Sequence, residues 1–435
     1  MNPYGFLFTL IVSGLLLGVR RNWAPLPLLI GASYISLSQA LEIGPVHLPA
    51  IRVLIAVGFL RVTIKGERVV GGMKPLDRML IFWAVWDLFS VAFHKETVLI
   101  ARLGLIYDAL GVYYLFRVFV RDLDDIRTVF KMCCVVFVPL TLPMMVERLS
   151  GFNPLNYVGF GATEVVLVTK DHFRAQGAFG HPILAGTVGA ICLPMAIYLW
   201  PHKRILALVG IVSTLVVVYA SGSSGPIMTI LSVVGALFIW KVRSHLRVIR
   251  WLAVLTIIGL DLVMHDPVYY LIARIDITGG STGWYRAHLM QFAAEHLDQW
   301  WLTGTDSTRG WTPVSVNSDN SDITSHYLQS GVWGGLPMMF LFIAVLFSAF
   351  ATVGRGLRAR KNAPFKDRFL VWTLGCILFG HATAALSVSF FDQSIVFFHM
   401  MLAMIASVDG APVVSRPIVI RNTSRSSPTE WARSQ

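Results

Sequence analysis

Two arginines in this chain sit where their type and surroundings could do chemistry. Arg174 lies in Asp171-His-Phe-Arg-Ala-Gln-Gly-Ala-Phe-Gly-His-Pro182, a polar segment between apolar runs that end near Val146 and resume at Ile183. Arg286 lies early in a second polar stretch, His265 to Ser325, beside Trp284 and Tyr285. A guanidinium stays charged, presents its donors in one plane and can grip a phosphate bidentately. The pair therefore predicts a phosphate clamp. The bland alternatives are an ion pair of Arg174 with Asp171, arginines reaching toward lipid headgroups, and a solvated helix face for Arg286. Gly177 and Gly180 would let backbone approach a ligand closely. His181-Pro182 opens a helix whose N-terminus favours an anion.

Other candidates are fewer. Arg52 and Arg102 lie inside apolar runs, where a charge costs roughly 2.5–3.5 kcal/mol at the centre of a membrane helix. They either line an anionic site or pair with the acids of neighbouring runs, Asp87 and Asp108. His326 follows Ser318-Asp-Asn-Ser-Asp-Ile-Thr-Ser325 directly, and is a candidate general base on a sugar hydroxyl or a cap. Asp322 is the rival base. Asp319 and Asp322 in a Ser/Asn-rich loop read as solvated acids before metal ligands, so no metal is expected. His288 and His296 read as interfacial, and His381, Asp392 and His399 are too isolated to assign. Ser221-Gly-Ser-Ser-Gly-Pro226 is a turn signal without the lysine of a phosphate-binding P-loop.

These residues need a frame. The chain has 435 residues, 55% hydrophobic and 14% charged, where soluble proteins average about 25% charged. Apolar runs fall at about 5–19, 23–41, 46–64, 79–93, 97–120, 128–146, 183–200, 204–220, 226–240, 248–265, 326–353, 368–390 and 394–408. Such lengths suit helices crossing a hydrocarbon core of about 30 Å, and backbone in lipid must be helical. The expected fold is an all-α polytopic bundle of about 12–13 spans over 1–409, with a disordered basic cytoplasmic tail over 410–435. The net charge of +12 reads as the positive-inside rule, not as nucleic-acid binding. Basic clusters at Arg20-Arg21, Arg61 to Arg78, Arg117 to Lys131, Lys203-Arg204, Lys241 to Arg250, Arg355 to Arg368 and after Arg416 hold most of the 36 Lys and Arg residues. They alternate along the ladder and so face the cytoplasm. That puts two long connections outside, 147–182 and 266–325. In the second, Gly283 to Gln299 reads as an amphipathic helix with Trp284, Ala287, Met290 and Ala294 on one face. Gly5 to Val19 reads as an anchor with its N-terminus outside, not a cleaved leader. Cys133, Cys134, Cys192 and Cys376 lie in apolar runs and read as buried hydrophobes.

Taken together, the chain resembles the O-antigen ligase and polymerase superfamily of bacterial membrane glycosyltransferases. Four pieces carry the resemblance. Arg174-Ala-Gln-Gly-Ala-Phe-Gly-His-Pro182 is similar to the family's Arg-x-x-Gly-x-Phe-x-x-Pro helix entry. Ser221-Gly-Ser-Ser-Gly225 sits where members often have Ser-Arg-Gly. Gly283-Trp-Tyr-Arg286 with Trp301-Leu-Thr-Gly304 resembles the periplasmic helix and its exit. Tyr327-Leu-Gln-Ser-Gly-Val-Trp-Gly-Gly335 resembles the entry to the next span. Ser224 departs from the pattern, and the family's histidine position falls on Thr324, with His326 two residues later. The resemblance implies a metal-independent, cofactor-free transfer of a glycan from an undecaprenyl-diphosphate carrier, at the periplasmic face of the inner membrane. The acceptor would be a second lipid-linked glycan for an O-antigen or exopolysaccharide polymerase, or lipid A–core for a ligase. Arg174 and Arg286 would bind the diphosphate, with Arg52, Arg102 and His181 as further lining candidates. Membrane lipid and other envelope-polysaccharide assembly proteins are the expected company. A transporter or flippase of a lipid-linked substrate, and a non-catalytic scaffold, are the competing classes.

Overall fold

The computed structural model describes residues 1–44, 46–161, 167–169, 172–274, 283–311 and 322–408. Helices follow the apolar runs nearly one for one. They are α1 (Pro3–Gly18), α2 (Pro25–Tyr34), α3 (Ala50–Lys65), α4 (Pro75–Val91), α5 (Glu96–Phe119), α6 (Leu123–Val136), α7 (Val138–Ser150), α8 (Pro182–Leu199), α9 (Arg204–Ser221), α10 (Ser224–Phe238) and α11 (Leu246–Val263). After the polar stretch come α12 (Gly283–Glu295), α13 (Leu297–Trp300), α14 (His326–Ala359), α15 (Phe365–Ala384) and α16 (Ser394–Val408). Proline opens α1, α2, α4 and α8, where its missing N–H is one the helix would leave unpaired anyway. Asp122 opens α6 by accepting from the N–H groups of Asp124 and Asp125.

Burial runs opposite to a water-soluble protein. α8 and α16 are apolar all round and buried on nearly every side, so they form the centre of the bundle. α1, α4, α9 and α11 instead turn Leu, Ile and Phe outward. Leaving such side chains in water forfeits about 1.5–3 kcal/mol each, a loss that a hydrocarbon surround removes. Among the described residues, five helical segments are long and apolar enough to cross a membrane: Val98–Phe119, Leu123–Ser150, Pro182–Leu199, Arg204–Ser221 and His326–Ala359. The fold is thus a helical bundle compatible with a multi-pass membrane protein. All four cysteines are buried and free.

The departures from the expected all-α pattern are local. The run at 23–41 yields only the ten-residue α2, because the polar Ser36, Ser38 and Gln39 follow it. The chain there turns into β1 (Ala40–Ile43), paired antiparallel with β2 (Val46–Pro49). A second ribbon pairs β3 (Leu167–Thr169) with β4 (His172–Arg174), Leu167 opposite Arg174. The run at 128–146 crosses a junction at Phe137 between α6 and α7. The run at 368–390 stops being helical at Ala384, and 385–393 forms a loop. The expected tail, Asp171 and Asp319 lie outside the described residues.

One break matters most. α14 loses helical geometry at Gly334 (φ −136°, ψ 20°) and Gly335 (φ 78°, ψ 173°). The carbonyls freed there find outside donors. Thr305 N donates to Val332 O (2.8 Å), Arg102 Nη2 to Trp333 O (3.1 Å), and Trp86 Nε1 to Gly334 O (2.7 Å). Leu336 N returns the contact by donating to Trp301 O (2.8 Å). A kink in a helix of this kind persists only where other groups re-satisfy its backbone. Helices α12 and α13 dock onto the first half of α14 through Leu289, Ala293, Trp300 and Val332, so the break fixes where α12 stands.

A candidate anion-binding site

The loop between β4 and α8 is held from several sides by buried side chains. Glu147, in the last turn of α7, accepts from Gln176 N (3.1 Å) and Gly177 N (2.9 Å). Asn153 Nδ2 donates to Gly177 O (2.7 Å), and Gln393 Nε2 to Ala178 O (2.6 Å). Gly180 N donates to the carboxylate of Asp392. The glycines therefore serve a different purpose from the one expected. Gly177 takes φ +62°, and a Cβ on Gly180 would collide with the Asp392 carboxylate. Gly180 admits the Asp392 carboxylate, and Gly177 supplies a left-handed turn against Met144. Asp392 itself sits at φ +57°, a left-handed conformation otherwise taken by glycine among the described residues. Such strain persists where surrounding contacts over-determine it.

Arg174 emerges from this loop at the end of β4. Its Nη2 donates to Ser223 Oγ (2.7 Å), and Nε lies 3.5 Å from Ser221 O. Ala175 N donates to Ala220 O (3.0 Å). The turn after α9 therefore orients Arg174, which is what Ser221-Gly-Ser-Ser-Gly225 does here. Among the described residues, the charges that act on Arg174 are cationic. Burial, then Arg286, then Arg148, lower its tendency to hold a proton. His181 shows the same field: burial, Arg174 and Arg286 push it down to about 4, so it is neutral at physiological pH. Its Nδ1 accepts from Ile183 N (3.2 Å), which leaves Nε2–H as a donor. That bond also corrects an expectation, because it occupies the first free N–H of α8, which Pro182 already lacks one of. An anion here meets the His181 ring edge, not an open helix terminus.

Arg286 reaches the same region from α12. Its Nε is buried with no hydrogen-bond partner among the described residues, as is Thr324 Oγ1 nearby in sequence to Asp322. Burial lowers Arg286, and Asp322 raises it. Reciprocally, desolvation raises Asp322 and Arg286 draws it back. Tyr285 Oη donates to Asp322 O (3.2 Å) and holds this acid at the site's open side. The face of α12 differs from the expected one. Ala287, Leu289 and Ala293 are buried while Trp284 is exposed, because α12 packs against α14 and not against a flat surface.

His326 does not fit the role of base. Its Nδ1 accepts from Phe390 N (3.2 Å). A backbone N–H has no alternative role, whereas the facing Gln329 amide can turn its NH₂ inward. The neutral ring then carries its proton on Nε2 and has no lone pair to offer. The ring also packs between Phe342 and Phe390, at 4.7 and 4.8 Å between centroids. Its position at the entry of α14 is fixed by His326 N donating to Ala385 O (2.8 Å). His381 and His399 pack around the same aromatic cluster.

Arg52 and Arg102 leave the candidate set for the same kind of reason. Arg52 forks onto Asp108, with Nε 3.0 Å from Oδ1 and Nη2 2.9 Å from Oδ2, and adds His47 O (2.8 Å). Arg102 pairs with Asp87 (3.2 Å), stacks on Trp333 (4.3 Å to the ring centroid) and caps the broken α14. Both acids are the intramembrane partners that the sequence offered as the alternative. Breaking such a pair leaves an unmatched charge, a cost of about 3–5 kcal/mol when buried. Asp108→Ala should therefore lower the unfolding temperature of detergent-solubilised protein by several degrees. Unchanged thermal unfolding would return Arg52 to the list of free cations.

Two groups escaped the sequence reading. Arg148 is not singled out there, and Asp392 is left unassigned with His381 and His399. The signal for Asp392 was the polar Ser387, Ser389, Asp392 and Gln393 interrupting an apolar run. Among the described residues no cluster of His, Cys, Asp and Glu could hold a metal ion. No protein-family model and no curated protein matches this chain.

Proposed function

We propose that this protein is a membrane glycosyltransferase that joins undecaprenyl-diphosphate-linked oligosaccharide units at the periplasmic face of the bacterial inner membrane. The observation that carries the proposal is the convergence of Arg174, Arg286 and His181 on one site in which Asp322 is the carboxylate coupled to Arg286. Such a site has unspent positive charge and unspent donors, which is what a leaving diphosphate needs. The orientation is supported by ion pairs. Arg21–Asp125, Arg117–Asp77 and Arg127–Asp367 join connections that the charge rule puts inside. His94–Asp306 (2.5 Å) joins two that it puts outside.

The reaction follows from these roles. The acceptor hydroxyl forms a bond to the anomeric carbon while the bond from that carbon to the diphosphate oxygen breaks. The hydroxyl proton passes to Asp322. Arg174 and Arg286 take the charge that develops on the leaving oxygen, and His181 Nε2–H adds a neutral donor. Because Asp322 must be ionised to act, and desolvation raises its pKa while Arg286 draws it back, the rate falls as pH falls and does so earlier than an ordinary aspartate would dictate.

Purified protein in liposomes with a lipid-linked oligosaccharide tests this reading. New glycosidic bonds and free undecaprenyl diphosphate are expected. Donor moved between leaflets without bond formation would replace the enzyme by a transporter, and transfer only to lipid A–core would replace the polymerase by a ligase. In the same assay Asp322→Asn should lower turnover about 10²–10⁴-fold, with His326→Gln within about tenfold of wild type. The reverse order would return the base role to His326.

A further inference from the structure

Arg148 lies outside every motif named above, yet it closes the cation site. It sits in the last turn of α7, one residue after Glu147. Glu147 forms no ion pair with it among the described residues, and both Glu147 oxygens are turned to loop N–H groups. Arg148 Nη1 donates to Phe173 O, the residue before Arg174, and the guanidinium lies over Tyr219 (5.5 Å to the ring centroid). Its Nε and Nη2 have no partner among the described residues. Gly222 separates it from Arg174. This glycine closes α9 at φ +56°, and a Cβ there would lie 2.7 Å from Arg148 Nη1 and 3.3 Å from Arg174 Cγ. The turn is thus cut away so that the Arg148 guanidinium and the Arg174 side chain lie against the same glycine. Like charges repel, and Arg148 disfavours the charged form of Arg174. An arrangement with that cost is stable when an anion completes it.

We infer that Arg148 is a third phosphate-contacting residue, and that through it the site takes a diphosphate in preference to a monophosphate. The inference rests on the reading of the site as a phosphate clamp. Among the described residues the charges that act on Arg174 are Arg286 and Arg148, Asp322 acts on Arg286, and His181 is neutral. The excess matches the two charges of a diphosphate diester and exceeds the single charge of a phosphodiester. Donors from β4, α7 and α12 approach from three elements, which suits two linked phosphates better than one.

Binding of an undecaprenyl-diphosphate-linked sugar and of an undecaprenyl-phosphate-linked sugar, the two diesters, to detergent-solubilised full-length protein tests this. Arg148→Gln should weaken diphosphate binding about 10–100-fold, the range of one charge-assisted contact, and monophosphate binding far less. The preference for diphosphate then narrows, and Arg148→Lys restores part of it. Wild-type diphosphate binding in Arg148→Gln, or an equal loss for both lipids, would overturn the inference and leave Arg148 a structural residue. Wild-type binding of both lipids by Arg174→Ala would instead remove the clamp itself. A measurement on the unaltered protein covers a variant that does not fold. Inorganic diphosphate should shield Arg148 from phenylglyoxal, read by mass spectrometry, and equal modification with and without diphosphate would also overturn the inference.

Discussion

Arg286→Ala is expected to cut glycan transfer by on the order of 10³-fold in protein that is still folded and inserted. Arg174→Ala should do the same. Removing one preorganised donor from a site where charge develops typically costs 10²–10³-fold, and these arginines carry a full charge. The double variant should lose little beyond the worse single one, because groups that act as a unit are not additive. Stability should move differently. No hydrogen bond to Arg286 occurs among the described residues, and its Nε is buried without a partner. It also opposes the charge of Arg174. Its removal should leave the unfolding temperature at or above that of wild type, while abolishing the stabilisation that added diphosphate gives. Arg174→Ala loses its bonds to Ser223 and Ser221 and should be slightly less stable. Surface glycan of normal chain length from both single variants would end the clamp reading. Such a split, activity lost with stability kept, marks residues whose arrangement serves a ligand rather than the fold.

The helices and the two arginines were legible in the sequence, and the reasons are physical. An apolar run of about 20 residues has few alternatives to a helix. An outward-facing arginine stands out against the charge bias of the ladder. Less could be read where one side chain's role depends on a partner distant in the chain. Gly180 looked like room for a ligand, and only the approach of Asp392 from the α15–α16 loop shows what fills the space. His326 looked available until Phe390 N was seen donating to its ring. Arg148 was hidden because an arginine at the end of an apolar run is the usual interfacial pattern. Arg52 and Arg102 were an intermediate case. The right partners, Asp108 and Asp87, were in view, and the choice between pairing and ligand binding waited on geometry. Local pattern thus singles out the candidates, and long-range contacts show which of them already have protein partners.

Gly335 tests how far the site depends on the break in α14. Gly335→Ala should lower activity as severely as loss of an arginine, without altering any charged group. The residue takes φ +78°, and a Cβ would run into the Leu302 carbonyl. With ψ 173° this backbone is open almost to glycine alone and costs another residue roughly 1–3 kcal/mol, and the collision is with backbone that cannot rotate away. Gly304, at φ +89°, presses against the Trp333 carbonyl from the other side, so the two glycines interlock the 301–305 segment with the broken helix. Three hydrogen bonds ride on that fit, from Thr305 N, Leu336 N and Trp86 Nε1. Pushing 301–305 outward would carry α13 and α12 with it, and Arg286 would leave the neighbourhood of Arg174. Gly354 is the control within the same helix. Nothing lies within 4 Å of its added Cβ, and Gly→Ala in a helix interior gains about 0.8–1 kcal/mol of propensity. Gly354→Ala should therefore be neutral or stabilising, with full activity. Proteolysis within 283–306 should quicken in Gly335→Ala and stay at the wild-type rate in Gly354→Ala. If both variants behave alike, the break is incidental, and α12 is held in place by its other contacts, with Val332, Trp300 and Tyr270.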